Sequence, residues 1–257
     1  MNEQGMVYFV GAGPGAVDLI TVRGRDLIAR ADLIVYAGSL VNPQLLEYAK
    51  EECKIYNSAT MTLEEVMDVM IPAAKKGKCV IRLHTGDPSI YGAIREQMDA
   101  LIEAEIPFET CPGVSAVFGA ASSLNLEYTL PDVSQSLILT RMEGRTKVPP
   151  KEQIEQFAAH QSTMAIYLSA GMLDELTERL IAGGYDAKTP AAIVYKATWP
   201  DEEKYICQLR DLPEVARIHQ ITKTALVLVG PVIAQQGYQK SCLYAADFST
   251  EYRKAKE

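Results

Sequence analysis

Gly11-Ala12-Gly13-Pro14-Gly15-Ala16 follows directly on the apolar run Val7–Val10. Glycines at the end of a strand let the backbone approach a ligand where a Cβ would collide. Gly11, Gly13 and Ala16 also fall on the three positions of the loose dinucleotide pattern. A dinucleotide grip, however, runs straight into a helix and takes an acidic residue at the end of the next strand. Here Pro14-Gly15 sits inside the turn, and the run Leu33–Tyr36 ends in Ala37-Gly38. The helix behind the turn is expected near Thr21, and a nicotinamide-dependent oxidoreductase is an alternative that lacks its ribose acid.

Thr85-Gly86-Asp87-Pro88-Ser89-Ile90-Tyr91-Gly92 follows a second apolar run, Cys79–Leu83, and precedes a helical pattern. That puts it at the carboxyl end of a strand, where open α/β sheets place their ligands. It contains no G-K-[ST], so the phosphate-gripping lysine of a P-loop is missing. Asp87 can accept hydrogen bonds from a ligand amine or hydroxyl, and an Asx turn ahead of Pro88 is the structural alternative. Cys111-Pro112-Gly113-Val114-Ser115-Ala116 repeats the logic at a third strand end. Three loops of small residues are expected to converge on one cleft.

Arg141 and Arg145 stand four apart around Gly144, just after another expected strand. A guanidinium presents a fork suited to carboxylates, and solvated loop charges are the alternative reading. Arg23 and Arg82 are further cations, each inside an expected regular element. His84, a lone histidine at a strand end, reads as a proton shuttle or as structural. No catalytic triad or carboxylate pair is visible, so no catalytic residue is assigned.

Short apolar runs alternating with helical patterns position these loops, which is the signature of α/β units. Strands are expected at Val7–Val10, Leu33–Tyr36, Cys79–Leu83 and Phe108–Cys111 in a first lobe, residues 1–128. Thr62-Leu63-Glu64-Glu65 fits a capping box opening a helix to about Lys76, with Gly77 to end it. Helices Gly92–Ala104 and Ser115–Leu124 follow, then a linker within Asn125–Ser134. The second lobe, residues 129–257, is expected to hold strands Ser136–Thr140, Thr163–Ser169, Ala191–Thr198, Tyr205–Leu209 and Ala225–Val229. Its helices are expected near Lys151–His160, Met172–Ala182 and Leu212–Gln220. The Pro200-Asp201-Glu202 turn makes a hairpin of two consecutive strands, so this sheet is mixed, whereas the first is mostly parallel. Thr250–Glu257 reads as a charged, frayed tail.

The chain has 257 residues, 48% of them hydrophobic and 23% charged, the balance of a folded chain with ample core. Its formal charge of -8 argues against nucleic acid as the main partner. The start carries no basic n-region, and no apolar stretch reaches membrane-spanning length, so a cytoplasmic protein is expected. Five scattered cysteines without a C-x-x-C pair, and three isolated histidines, point to reduced thiols and no protein-bound metal.

Taken together, these stretches resemble the tetrapyrrole (corrin and porphyrin) methylases. The resemblance is carried by Val10–Gly15 with Leu19 and Thr21, Gly86-Asp87-Pro88 with Gly92, and Pro112–Ala116. It continues through Tyr167-Leu168-Ser169, Ala197-Thr198-Trp199-Pro200-Asp201-Glu202 and Thr224–Gly230, in order along nearly the whole chain. It implies a two-lobed α/β homodimer that transfers the methyl of S-adenosylmethionine and releases S-adenosylhomocysteine, with the cofactor in the cleft between lobes. Together with the convergence of loops, it implies cofactor contacts at Pro14, Gly86, Asp87, Ile90, Ser115, Ala116, Leu168, Met172 and Ala197. Tyr36–Val41 and Thr140–Thr146 are most similar to the branch that methylates carbon 11 of precorrin-4, with or without cobalt. Cys207-Gln208-Leu209 departs from the Gly-Thr-Leu usual in relatives. The carboxylate-rich tetrapyrrole would be met by Arg141 and Arg145. Rival functions are methylation at a different ring carbon, tetrapyrrole carriage without catalysis, and methylation of ribosomal RNA or a modified histidine on the same fold.

Overall fold

The computed structural model describes residues 5–38 and 40–255. Ser39 of the Tyr36–Val41 motif, the start Met1 to Gln4, and the last two residues of the expected tail lie outside them. The chain divides into two compact units, Met1–Gly119 with Lys196–Glu202, and Ala120–Tyr195 with Glu203–Glu257.

The first unit is a five-stranded, all-parallel sheet of β1 (Met6–Gly11), β2 (Leu33–Tyr36), β3 (Lys54–Asn57), β4 (Cys79–His84) and β5 (Phe108–Cys111). Its order is β3-β2-β4-β1-β5. Helices α1 (Val22–Arg30), α2 (Leu63–Lys75), α3 (Arg95–Glu103) and the start of α4 (Ala116–Leu124) accompany it. The central strands β1, β2 and β4 read as nearly continuous apolar runs because both faces are covered. Val7, Phe9, Val35 and Val80 pack with Met67, Met70 and Leu101, while Val10, Ile34, Ile81 and Leu83 pack with Leu27, Ile28 and Leu45. As expected, Thr62 and Glu65 close a reciprocal capping box at α2, and Thr21 caps α1 by accepting from the Gly24 amide.

β1 and β4 are neighbours, yet the chain leaves β1 toward β2 and leaves β4 toward β5, in opposite directions. Such a switch point opens a crevice at the carboxyl ends of the strands, where α/β sheets bind ligands. The glycine turn follows β1 and the Gly86-Asp87 turn follows β4, so strand order puts both at the switch.

The second unit's sheet runs β6 (Leu137–Arg141), β7 (Thr163–Tyr167), β10 (Ala225–Val229), β8 (Pro190–Tyr195), β9 (Glu203–Gln208). Only β6 and β7 are parallel, so it is mixed, with β8 and β9 the expected antiparallel pair. Helices α5 (Ile154–Ala158), α6 (Leu173–Ala182) and α7 (Leu212–Ile218) share a core with Ile166, Ile193 and Val227. Among the described residues no helix is long and apolar enough to cross a membrane, and all five cysteines are free thiols.

Several boundaries differ from expectation for backbone reasons. The helix expected from Gly92 starts at Arg95, because Tyr91 (φ 57°) and Ala93 (φ 48°) are left-handed. β8 ends at Tyr195 rather than Thr198, since Lys196 (φ 46°) and Thr198 (φ 69°) leave the extended region. The helix expected over Lys151–His160 resolves into a 3-10 turn, Pro150–Glu152, and the short α5. β3 was not expected at all. The Arg253 guanidinium, in the expected frayed tail, donates to the carbonyls of Leu243 (2.9 Å) and Ala245 (2.6 Å).

Candidate active site

In the first unit the three small-residue turns meet through their backbones. Gly13 and Gly86 exchange hydrogen bonds, 3.3 Å from the Gly13 amide and 2.8 Å from the Gly86 amide. The Asp87 carboxylate spans to the third turn, its Oδ2 accepting from the Gly113 amide at 2.9 Å. Its Oδ1 accepts from the Ser89 amide at 2.9 Å and from the Ser89 hydroxyl, so the Asx turn forms as well. Burial opposes the charge, but these donors outweigh it and hold the Asp87 carboxyl below its ordinary pKa. The packing leaves no room for side chains. A Cβ on Gly11 would lie 2.6 Å from the Gly113 Cα, and one on Gly113 would lie 2.1 Å from the Gly86 carbonyl oxygen. Gly86 in turn sits against Ser115 and Ala116, at the start of α4.

The glycine turn is also braced from outside. Asn42 Nδ2 donates to the Gly15 carbonyl at 2.9 Å, Trp199 Nε1 donates to the Pro14 carbonyl at 3.0 Å, and the Ala16 amide donates to Thr198 Oγ1 at 3.0 Å. The Ala12 amide is spent on the His84 carbonyl at 2.7 Å. A pyrophosphate grip needs free amides aimed at the anion. Here the amides of Ala12, Gly13 and Ala16 are taken by protein oxygens, which removes the physical basis of the nicotinamide alternative. The three turns contain no lysine or arginine.

Pro14, Gly86, Asp87, Ser115 and Ala116 are thus brought together. Ile90 follows in the same turn, its amide on the Asp87 carbonyl at 3.3 Å. Ala197 is buried beside Thr198. His84 is 4% exposed and stacks on Phe9; burial and the Arg82 charge push its pKa down to about 3, so it is neutral and no shuttle near pH 7. Arg82 is buried too, donating to Gln97 Oε1 (2.9 Å) and the Val35 carbonyl (3.2 Å), with its pKa lowered by burial to about 10. Arg23 is an exposed partner of Glu109.

The second unit gathers the remaining candidates at the ends of β6 and β7. Arg141 donates to the carbonyls of Met142 (3.3 Å), Thr146 (3.2 Å) and Lys147 (2.9 Å), folding its own loop around its guanidinium. Glu143 is tied to Arg179 (3.4 Å) and Gln153 (3.2 Å), and Arg179 in turn grips Glu155 with two donors. Arg145 is exposed on this loop. The buried Met142 amide donates to Ser169 Oγ at 3.0 Å, joining the loop to the turn that carries Leu168, which is left-handed (φ 56°) and exposed. Met172 lies by the same loop, 3.4 Å from where a Gly144 Cβ would stand.

Residues 6–213 match the family described as Tetrapyrrole (Corrin/Porphyrin) Methylases. The chain belongs to this family. Among curated relatives of this methylase is a cobalt-precorrin-4 C(11)-methyltransferase of Methanocaldococcus jannaschii, 52% identical over 255 residues, covering 99% of this chain and 98% of the relative. Among solved structures, a cobalamin biosynthetic enzyme, cobalt precorrin-4 methyltransferase, superposes with TM-score 0.87 at 42% identity, covering 89% of this chain and 95% of that one. A uroporphyrin-III C-methyl transferase from Thermus thermophilus, complexed with S-adenyl homocysteine, has TM-score 0.76 at 25% identity, covering 90% and 100%.

Sequence reasoning missed Asn42, Thr198 and Trp199 as braces of the methylase's glycine turn. The Ala197–Glu202 motif was visible, but its partners lie 182 and 185 residues away in the chain, and nothing local announces them.

Proposed function

We propose that this methylase is an S-adenosylmethionine-dependent C-methyltransferase of corrin assembly that methylates ring carbon 11 of precorrin-4 or of its cobalt-containing form. The observation that carries this reading is the cluster of three turns at the switch point of the parallel sheet, in a chain of this family. The cluster fits the methyl donor in two ways. Its glycines let the three backbones meet at the strand ends with no side chain between them, and its turns carry no cation to repel a sulfonium. Bound there, S-adenosylmethionine supplies an electrophilic methyl group and a thioether leaving group, S-adenosylhomocysteine.

The chain's part is positioning and exclusion of water. Pro14, Gly86, Ile90, Ser115, Ala116 and Ala197 shape the donor site, and Asp87 holds two of its turns in register. With both carboxylate oxygens taken by protein donors, Asp87 is not a free base. The nucleophile is the electron-rich ring carbon, so no side chain has to generate one. Leu168 and Met172 belong to the second unit, and their part in donor binding rests on the family resemblance. Arg145 presents its charge to a peripheral carboxylate of the tetrapyrrole, while Arg141 keeps the loop folded and adds to the positive field. The resemblance further supports a cytoplasmic homodimer that works on a small tetrapyrrole, with no nucleic-acid or membrane partner and no protein-bound metal.

The test is turnover of precorrin-4 and cobalt-precorrin-4 in parallel, with the product's new methyl located by mass spectrometry. Methylation at carbon 11 of either substrate is expected. A methyl at another ring carbon, or tetrapyrrole binding without turnover, contradicts the reading.

A further inference from the structure

The chain has one tryptophan, and it packs on the glycine turn. A Cβ on Gly15 would lie 2.2 Å from Trp199 Cδ1, so the indole lies flush against a backbone that only glycine leaves bare. The segment that carries it is stiffened from within. The Trp199 amide donates to the Lys196 carbonyl (3.0 Å), and the Glu202 amide to the Trp199 carbonyl (3.0 Å). Glu202 Oε2 accepts from the Thr198 amide (2.6 Å), and Lys196 pairs with Asp201 (2.5 Å) beside the indole face. Lys196 and Thr198 hold left-handed backbone that neither residue favours.

From this stiff segment two side-chain groups reach Pro14–Ala16. Trp199 Nε1–H meets the Pro14 carbonyl and Thr198 Oγ1 meets the Ala16 amide, at 3.0 Å each. Pro14 and Thr198 also pack side by side against Gly119 of α4, where a Cβ would come 3.0 Å and 3.3 Å from them. The Pro14 carbonyl and the Ala16 amide are therefore both held by this segment, and the position of the turn follows it. We propose that Trp199 and Thr198 are positioning residues for the methyl donor, setting the Pro14–Ala16 turn at the height the donor requires while touching no reacting atom. This inference rests on the donor occupying the three-turn cluster.

Calorimetric titration with S-adenosylhomocysteine tests it, on Trp199→Phe, which keeps a ring and loses the donor, and on Thr198→Val against Thr198→Ser. Losing one partly buried hydrogen bond that sets the turn should weaken affinity about tenfold in Trp199→Phe and in Thr198→Val, equivalent to roughly 1.4 kcal/mol each. Thr198→Ser keeps the acceptor and should bind like wild type. In turnover, KM for the methyl donor should rise while KM for the tetrapyrrole stays within twofold, a split that general loosening of the fold would not produce. Wild-type affinity in both Trp199→Phe and Thr198→Val overturns the inference and leaves the functional reading intact. A wild-type protein that does not bind S-adenosylhomocysteine overturns both. If Trp199→Phe fails to fold, the Thr198 pair decides alone.

Discussion

The Gly11–Ala16 turn and the Arg141–Lys147 loop both follow strands, yet they are held in opposite ways. The first is tied by bonds to residues far along the chain: Gly86, Asn42, Thr198 and Trp199. The second is folded mostly on itself, three of Arg141's N–H groups going to carbonyls one to six residues on. Charge divides the same way. The three turns of the first unit carry only Asp87, which is fully engaged, whereas Arg141–Lys147 has Arg141, Arg145 and Lys147 against Glu143. A cross-tied cluster with no cation, its one charge the engaged Asp87 carboxylate, suits a donor that brings its own positive charge, and a cationic loop suits a substrate rich in carboxylates. Damage to one should therefore appear in donor binding and damage to the other in tetrapyrrole binding.

The largest break should come from Gly113→Ala. Its Cβ meets the backbone oxygen of Gly86, which cannot swing aside, so the turns must separate. Overpacking of this kind costs typically about 1–3 kcal/mol. A lower melting temperature and at least tenfold weaker S-adenosylhomocysteine affinity are expected, and unchanged affinity would place the donor elsewhere.

Arg145→Ala and Arg141→Ala sharpen the contrast. Arg145 has no structural duty on its exposed loop, so its loss should leave melting unchanged and raise tetrapyrrole KM. Charge-assisted bonds of about 1.5–3 kcal/mol make that roughly tenfold or more. Arg141→Ala should do the same and also destabilise the loop, seen as faster amide exchange over residues 142–147. Donor affinity should stay within twofold in both, and wild-type KM in Arg145→Ala would make that residue a plain surface charge.

A smaller effect is expected from acid. Burial disfavours the Asp87 charge, and the donors from Ser89 and Gly113 more than compensate, so its folded pKa lies below the unfolded value. A depressed carboxyl contributes stability that is complete above its unfolded pKa, near 4, and is lost as pH falls through the folded value. Asp87→Asn should lower stability at neutral pH and flatten this acid limb, and an unchanged limb would show the carboxylate to be idle. Smallest of all, raising salt should weaken tetrapyrrole binding a few-fold and leave donor binding alone. Equal salt sensitivity would erase the division of charge.

What was legible in the sequence follows from the same division. Buried strands such as Val7–Val10 and Cys79–Leu83 announce themselves because both faces are covered, and Thr62–Glu65 caps its helix with purely local chemistry. β3 was not legible because Lys54–Asn57 are all exposed, so no apolar pattern marks this edge strand. The convergence of the three turns was readable from their positions at strand ends. Their order at the switch point was not, because strand order depends on pairings far apart in sequence. Arg141 was legible as a cation but not as the fastener of its own loop, since that depends on where backbone carbonyls turn. Asn42 and Trp199 stayed hidden because their meaning lies wholly in a distant glycine turn.

The central claim, methyl transfer to one defined ring carbon, is tested most directly by incubating the protein with S-adenosylmethionine labelled with carbon-13 in the methyl group and with precorrin-4 or its cobalt form, then reading the product by NMR. The account predicts a single enriched methyl resonance attached at carbon 11 and one equivalent of S-adenosylhomocysteine. Label at any other carbon, or none from either substrate in a protein that binds both ligands, would contradict it.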